Sequence, residues 1–205
     1  MEIRIRQHGL PACRHGFTLL EIIVVIGVVS LIAATTLFSF PAFSRRIAIE
    51  QEAGQLALSI RKAQSYSIAV REFSPGSGIF PGYGVNVSLD NPNEHVIFGD
   101  PNQTNRYEAG AAEAIETIHF NSRVKISKIC GNSQSVPPGP CDLVPYTGLT
   151  SADIFYIRPG PTATFTGVSS GLSGVYNDIK VVLSSEDNSL TKSVTVWPTG
   201  QVSIQ

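Results

Sequence analysis

Residues 14–38 read RHGFTLLEIIVVIGVVSLIAATTLF, a short polar start followed by a long apolar run. From Phe17 to Phe38 the one ionisable side chain is Glu21. With a helical rise of about 1.5 Å per residue, this run is long enough to cross a bilayer core of about 30 Å. A secretory signal peptide would need a shorter apolar core followed by a small-residue cleavage site, and nothing convincing follows Ile32. The stretch therefore predicts a membrane-spanning helix.

Glu21 is the unusual residue of this run. An ionised carboxylate within hydrocarbon costs on the order of several kcal/mol and is normally paired. Glu21 lies one helical turn after Phe17, close enough to the membrane interface for its side chain to snorkel towards the headgroups. The alternative is that it has a charged partner.

The residues around Glu21 occur in an order that resembles a known processing signal. Residues 14–21, RHGFTLLE, followed by IIVVI, closely resemble the prepilin signal of type IV pilins and type II secretion pseudopilins. That resemblance implies cleavage between Gly16 and Phe17 by a prepilin peptidase, N-methylation of Phe17, and pairing of Glu21 with the N-terminal amine of a neighbouring subunit. Cleavage would create a second charge at Phe17, and two isolated charges in lipid are costly unless they meet.

The same resemblance implies further partners and a location. Other pilin or pseudopilin subunits would contact the N-terminal helix, and an assembly platform protein and ATPase would extract the subunit from the membrane. The precursor would be a single-pass protein of the inner or plasma membrane with a periplasmic or extracellular globular domain, and the mature protein would lie in a filament. Secretion pseudopili, twitching pili and DNA-uptake pili share this N-terminal chemistry, so the machine stays open, as does the abundance of the subunit.

The whole chain of 205 residues is 42% hydrophobic, which suits one globular domain and an anchor. Charged residues make up 15% and the net charge is -1, which argues against a nucleic-acid binder that neutralises many phosphates. We expect four segments: a leader at 1–16, a transmembrane and filament-core helix at 17–43, an amphipathic helix at 44–72 and a β-rich globular domain at 73–205.

After Pro41 the apolar residues recur at helical spacings of three and four. The stripe comprises Ile49, Ala53, Leu56, Ile60, Ala63, Ser67 and Val70. We expect one helix from about Phe17 to about Glu72, with bends at Pro41 and Gly54, because a Pro-Gly terminator follows it.

From Gly84 onward, short β-like runs alternate with Asn, Pro, Gly and Ser clusters, which favours an antiparallel sheet. The fold class is therefore α+β, a long N-terminal helix packed on a C-terminal antiparallel sheet, as in the pilin fold. Residues 108–115 could be a short helix or a loop, and the final hairpins resemble those of GspH/FimT-type minor pseudopilins. The predicted strands are 84–89, 95–98, 117–120, 124–129, 153–157, 162–166, 179–184, 193–197 and 201–204.

The chain has three cysteines, of which Cys13 lies in the expected leader. Cys130 and Cys141 would survive processing, and a mature pair suits a disulfide in an oxidising compartment. Two free buried thiols are the alternative.

No catalytic or metal-binding pattern accompanies these features. His95 and His119 lie in separate strand-like runs without a second ligand nearby, so structural roles are favoured. The sequence lacks a P-loop and a dinucleotide fingerprint. We expect a structural subunit that is not an enzyme and has no cofactor or metal.

Two rival functions depend on other features. Arg123, Lys125 and Lys128 could bind DNA in an uptake pilus, although a solvated strand face is the favoured explanation because no aromatics are interleaved for stacking. Nucleic acid is therefore not an expected partner. The other rival is a simple membrane-tethered surface protein. Exposed aromatics in Pro/Gly loops (Phe80, Tyr83 and Tyr146) could contact neighbouring subunits or cargo.

Overall fold

The computed structural model describes residues 16–110, 112–133, 141, 146–158, 160–169 and 171–205, and for residues 36–39, 41, 146 and 172 it describes the backbone alone. Most of the predicted leader, residues 1–15, lies outside the described residues, as does Cys13. The chain divides into two compact units, Met1–Ala42 and Phe43–Gln205.

Helix α1 spans Leu19–Ile68, and no end is assigned at Pro41 or Gly54. It ends before the predicted limit of Glu72 in a Schellman motif. The N–H of Val70 donates to the carbonyl of Ser67 at 3.3 Å, and that of Arg71 donates to the carbonyl of Tyr66 at 3.1 Å. Val70 adopts a left-handed φ of 49°. The chain therefore leaves the helix at Val70, three residues before the Phe73-Ser74-Pro75-Gly76 terminator begins.

The amphipathic stripe is confirmed at six of its seven positions, from Ile49 to Ser67, which are all buried. Val70 is the exception, since its side chain is 42% exposed. The prediction fails there because Val70 lies beyond the helix and no longer follows the helical period.

The described residues contain eleven strands, all paired antiparallel. The nine predicted strands are confirmed within a few residues, and β5 and β8 were missed because both are short and interrupted by glycine. The strands are β1 Gly82–Ser88, β2 Glu94–Asp100, β3 Ala114–His119, β4 Val124–Asn132, β5 Tyr146–Leu149, β6 Ser151–Tyr156, β7 Ala163–Ser169, β8 Leu172–Tyr176, β9 Asp178–Ser185, β10 Thr191–Val196 and β11 Val202–Ile204.

The strands form two sheets, where the sequence suggested one. Sheet one has the order β3-β2-β1-β6-β7-β8, and sheet two has the order β11-β10-β9-β4-β5. One buried cluster contains the α1 stripe together with side chains from both sheets, such as Val85 and Ile154 from sheet one and Val181 from sheet two. Helix packing on sheet is thus confirmed, with a second sheet completing the core.

Glycines bring the two sheets together around Tyr176 of β8. A Cβ atom at Gly131 of sheet two would lie 2.4 Å from the Tyr176 ring, and one at Gly167 of sheet one would lie 3.0 Å from it. Real Cβ atoms essentially never approach that closely at Gly131, so the tyrosine needs glycine there.

The outer face of sheet one is partly covered by the connection between β2 and β3. Phe98 of β2 points to this face yet is fully buried, with its ring 5.5 Å from that of Tyr107 and 6.0 Å from that of Phe155. Of the segment predicted as a short helix or a loop, residues 108–115, the described residues 108–110, 112 and 113 belong to no helix or strand, and the last two residues begin β3.

Candidate assembly site at the start of helix α1

Helix α1 begins with a side-chain cap that places Glu21 in its first turn. Thr18 precedes the helix, and its Oγ1 accepts a hydrogen bond of 3.2 Å from the N–H of Glu21. This is the N-cap half of a capping box, in which a threonine is followed three residues later by a glutamate. The cap satisfies one free N–H of the first turn through Thr18, so it does not require the Glu21 carboxylate.

The Glu21 carboxylate lies on an apolar face of α1. Phe17, Glu21, Ile22, Val25 and Ile26 line a shallow depression of 220 Å³, because residues four apart share a helix face. No group among the described residues forms a hydrogen bond or ion pair with this carboxylate. Glu21 therefore presents an unpaired acceptor beside the first residue of the apolar run.

The surface around this site is apolar and exposed. Every large apolar side chain from Phe17 to Ile32 is at least half exposed, and Phe17 is 79% exposed. Exposed apolar surface of this extent is typical of a segment that contacts lipid or another protein.

Residues 11–37 match the family model of the prokaryotic N-terminal methylation motif. This match confirms the resemblance to the type IV pilin-like proteins and pseudopilins, and it supports a pilin-like precursor. No curated protein and no solved structure matched the chain.

Among the described residues, no helix combines the length and the hydropathy that a membrane span requires.

Cys130 and Cys141 are joined by a disulfide with a Cα–Cα distance of 5.6 Å, in agreement with the predicted pairing. Cys130 belongs to β4 and is buried. The bond fixes residue 141 to sheet two.

The burial of His95 was not predicted from the sequence. Its Nε2 lies 2.8 Å from Ser59 Oγ, and both residues are almost fully buried between β2 and α1. Burial lowers the pKa of His95 to about 4, so the ring is neutral near pH 7. Serine and histidine at this distance could suggest a nucleophile and its base, but their burial in the core points to a structural pair. The other histidine, His119, is exposed and lies 3.1 Å from a carboxylate oxygen of Glu94.

A second buried ionisable group lies on the outer face of sheet one. Asp153 accepts hydrogen bonds from Asn86 Nδ2 at 2.7 Å and from Thr166 Oγ1 at 3.3 Å, which lie opposite it on β1 and β7. Burial raises the pKa of Asp153 to about 6 although these hydrogen bonds oppose the shift. The single clue in the sequence was an aspartate at an alternating strand position.

The basic residues Arg123, Lys125 and Lys128 have the arrangement expected of a strand face. Val124 and Ile126 are buried, whereas Lys128 is exposed and the Arg123 guanidinium donates to Ser44 Oγ at 3.0 Å. A β-bulge between Ile126 and Lys128 shifts the register of the strand.

Of the aromatics predicted to be exposed, Phe80 is 42% exposed. Tyr83 is fully buried and donates its hydroxyl hydrogen to the carbonyl of Arg71 at 2.9 Å. The prediction was wrong for Tyr83 because β1 begins at Gly82 and turns this side chain into the core. Tyr146 lies outside the described side chains.

Proposed function

We propose that this chain is a structural subunit, a minor pilin or pseudopilin, of a type IV pilus or a type II secretion-like filament. In this proposal a prepilin peptidase cuts between Gly16 and Phe17 and the new N-terminus of Phe17 is methylated. Residues 17–43 first anchor the subunit in the membrane and then form the filament core. The methylation motif at residues 11–37 supports this processing.

One observation carries the assembly step: the Glu21 carboxylate has no partner among the described residues and lies beside Phe17 on an apolar face. Once covered by lipid or by neighbouring helices, an unpaired carboxylate is costly, and cleavage would supply the matching amine at Phe17. Pairing between subunits would place each helix in a fixed register with its neighbour. Thr18 would help by capping α1 without using the carboxylate.

The chemistry is that of assembly and not of catalysis. The methylation motif points to a structural protein. The terminal hairpins are consistent with a GspH/FimT-type minor subunit, and the disulfide suits a periplasmic or extracellular location. A platform protein and an assembly ATPase would be the machinery that moves the subunit.

The experiment co-expresses the full chain with a prepilin peptidase and a filament assembly system. Mass spectrometry of the mature protein is expected to show an N-terminus at methylated Phe17. Retention of the leader in cells with an active peptidase would instead support a simple membrane tether.

A second measurement tests the role of Glu21. Glu21→Ala and Glu21→Gln should be processed normally but should be lost from sheared filaments, since neither side chain can form the ion pair. Ser30→Ala, an exposed polar change further along α1, is the matched control and should assemble as the wild type does. Mixing the Glu21→Ala subunit with wild type should restore part of its incorporation, because its own amine can still meet a neighbour's carboxylate. Full incorporation of Glu21→Ala alone would remove the pairing role.

A further inference from the structure

A groove of 860 Å³ opens at the end of sheet one where β1 begins and where β2 and β6 end. Phe155 forms part of its floor, and Gly82 allows the close packing there, since a Cβ at Gly82 would lie 2.4 Å from the Phe155 ring. The rim carries apolar side chains that are 42% to 48% exposed, namely Val70, Ile79, Phe80 and Ile157.

Two carboxylates hold the walls of the groove in place. In the loop after α1, Glu72 accepts hydrogen bonds from the N–H groups of Gly76 and Gly78. Across the groove, the buried Asp100 accepts hydrogen bonds from the N–H groups of Thr104 at 3.0 Å and Asn105 at 2.6 Å. Because both loops are already ordered, a ligand would bind without the entropic cost of ordering them.

The conformation of Val70 indicates that the rim of the groove has a role in binding as well as in folding. It occupies the left-handed position after α1, where glycine is usual and a β-branched residue is strained. Its side chain is also 42% exposed, so it adds little to the core. Strained residues concentrate at ligand-binding sites, and a strained apolar side chain kept at the surface suggests contact with a partner.

The charge of the groove narrows the class of ligand. Among the residues that line it, Arg158 is the one cation, and its exposed guanidinium has no hydrogen bond or ion pair within the described part of the chain. Asp100 is buried and already occupied. One free cation among apolar side chains suits a carboxylate that is flanked by apolar groups, whereas a nucleic acid would require several cations.

We propose that the groove binds an extended segment of a partner polypeptide, distinct from this chain, that carries an aspartate or glutamate next to an apolar side chain. The carboxylate pairs with Arg158, and the apolar side chain packs against Ile157, Phe80 and Val70. In residues 43–205, the described exposed acids without a hydrogen-bonded or ionic partner of their carboxylate are Asp90 and Glu186. Glu186 lies in a polar turn, and Leu89, the apolar neighbour of Asp90, packs against the core of its own chain, so a second copy of this chain is a poor match. The proposal does not depend on filament assembly.

The test titrates the isotope-labelled full chain in detergent and follows backbone amide signals by NMR. The probes are the blocked peptide acetyl-Gly-Leu-Glu-Phe-Gly-amide and its glutamine twin. The glutamate peptide should shift signals of the groove residues with saturation. It should bind about tenfold more tightly than the glutamine peptide, since a charge-assisted hydrogen bond contributes roughly that factor.

Matched variants separate the groove from general surface effects. Arg158→Glu should abolish the preference for the glutamate peptide, whereas Arg61→Glu, the same charge change on the exposed face of α1, should not. Ile157→Ser and Val70→Gly should weaken both peptides, whereas Val175→Ser, at an apolar residue exposed elsewhere, should weaken neither. Equal affinity for the two peptides, or shifts confined to residues outside the groove, would overturn the proposal. Groove signals that shift with protein concentration alone would identify a second copy as the occupant, and the proposal would then be wrong.

Discussion

Residues 16–42 and residues 43–205 differ in the exposure of their apolar side chains, although α1 belongs to both regions. In the first region, every described large apolar side chain up to Ile32 is at least half exposed. In the second, the stripe from Ile49 to Ala63 is buried against two sheets. The second region therefore completes its own core, whereas the apolar surface of the first is exposed to an extent typical of a segment that contacts lipid or another protein.

The largest effect should come from shortening a buried residue of α1. Ile60→Ala should lower the free energy of unfolding by about 3 kcal/mol, because it removes buried methyl groups and leaves a cavity. Ile23→Ala makes the same chemical change where the side chain is 61% exposed, and should alter stability by less than about 0.5 kcal/mol. Denaturant unfolding of the full chain in detergent, followed by fluorescence of the single tryptophan, Trp197, measures both. Equal losses would contradict the comparison.

The second effect concerns the buried ionisable groups of residues 43–205. Burial lowers the pKa of His95 from 6.5 to about 4. Between these two pH values the unfolded chain binds a proton at His95 that the folded chain does not bind, so stability falls as the pH drops through this range. Burial keeps Asp153 protonated up to pH 6 or so, so stability falls as the pH rises from 3.8 to about 6. Each shift corresponds to about 3 kcal/mol. The two contributions therefore oppose each other and nearly cancel in the wild type.

Single variants should reveal how each of the two groups makes stability depend on pH. Asp153→Asn should make stability fall by about 3 kcal/mol as the pH drops from 6.5 to 4, because the His95 contribution is then unopposed. His95→Gln should make stability rise over the same drop. The measurement is a set of denaturant curves between pH 4 and 7, and parallel profiles for the wild type and both variants would rule out the cancellation.

The third effect comes from the disulfide. Replacing Cys130 and Cys141 together by serine should lower stability by about 2–3 kcal/mol, because the bond closes a loop with a sequence separation of 11 and restricts the unfolded chain. Thermal unfolding with and without a reductant measures this change. The double variant also serves as the control for the reductant, because it lacks the Cys130–Cys141 bond. If the reductant still destabilises this variant, the reductant acts at a site other than this bond.

The smallest effect should be a gain in stability. Val70→Gly should raise the free energy of unfolding by about 1 kcal/mol, since it relieves the left-handed strain at the end of α1. Ile68→Gly, two residues earlier and still inside the helix, should have the opposite sign by about 1 kcal/mol. A loss of stability at both positions would contradict this prediction, because glycine at residue 70 would then cost more stability than the relief of backbone strain provides.

Much of this fold could be predicted because its signals are local. The helical stripe and the alternation within nine strands depend on neighbours in the sequence, and both are confirmed apart from Val70. The second sheet could not be predicted, because it depends on the pairing of β9 with β4, two strands that are far apart in the chain. Strands β5 and β8 were missed since glycines at 148 and 174 interrupt their patterns.

The candidate site divides in the same way. The prepilin-like motif could be recognised from consecutive residues, and residues 11–37 match the methylation motif. The cap at Thr18 follows a known spacing and could have been read from the sequence. The buried pair of Ser59 and His95 could not, because its members are 36 residues apart and meet only after β2 packs on α1.

The contact between Tyr176 and the glycines of both sheets has a consequence for how this sequence can change over time. A larger residue at Gly131 would collide with the tyrosine, and a small residue at 176 alone would leave a void where the ring now lies. Neither step is well tolerated by itself. Among relatives that keep this core, we expect the identities of residues 131 and 176 to change together, with glycine at 131 accompanying an aromatic residue at 176 and a bulkier residue at 131 accompanying a small one.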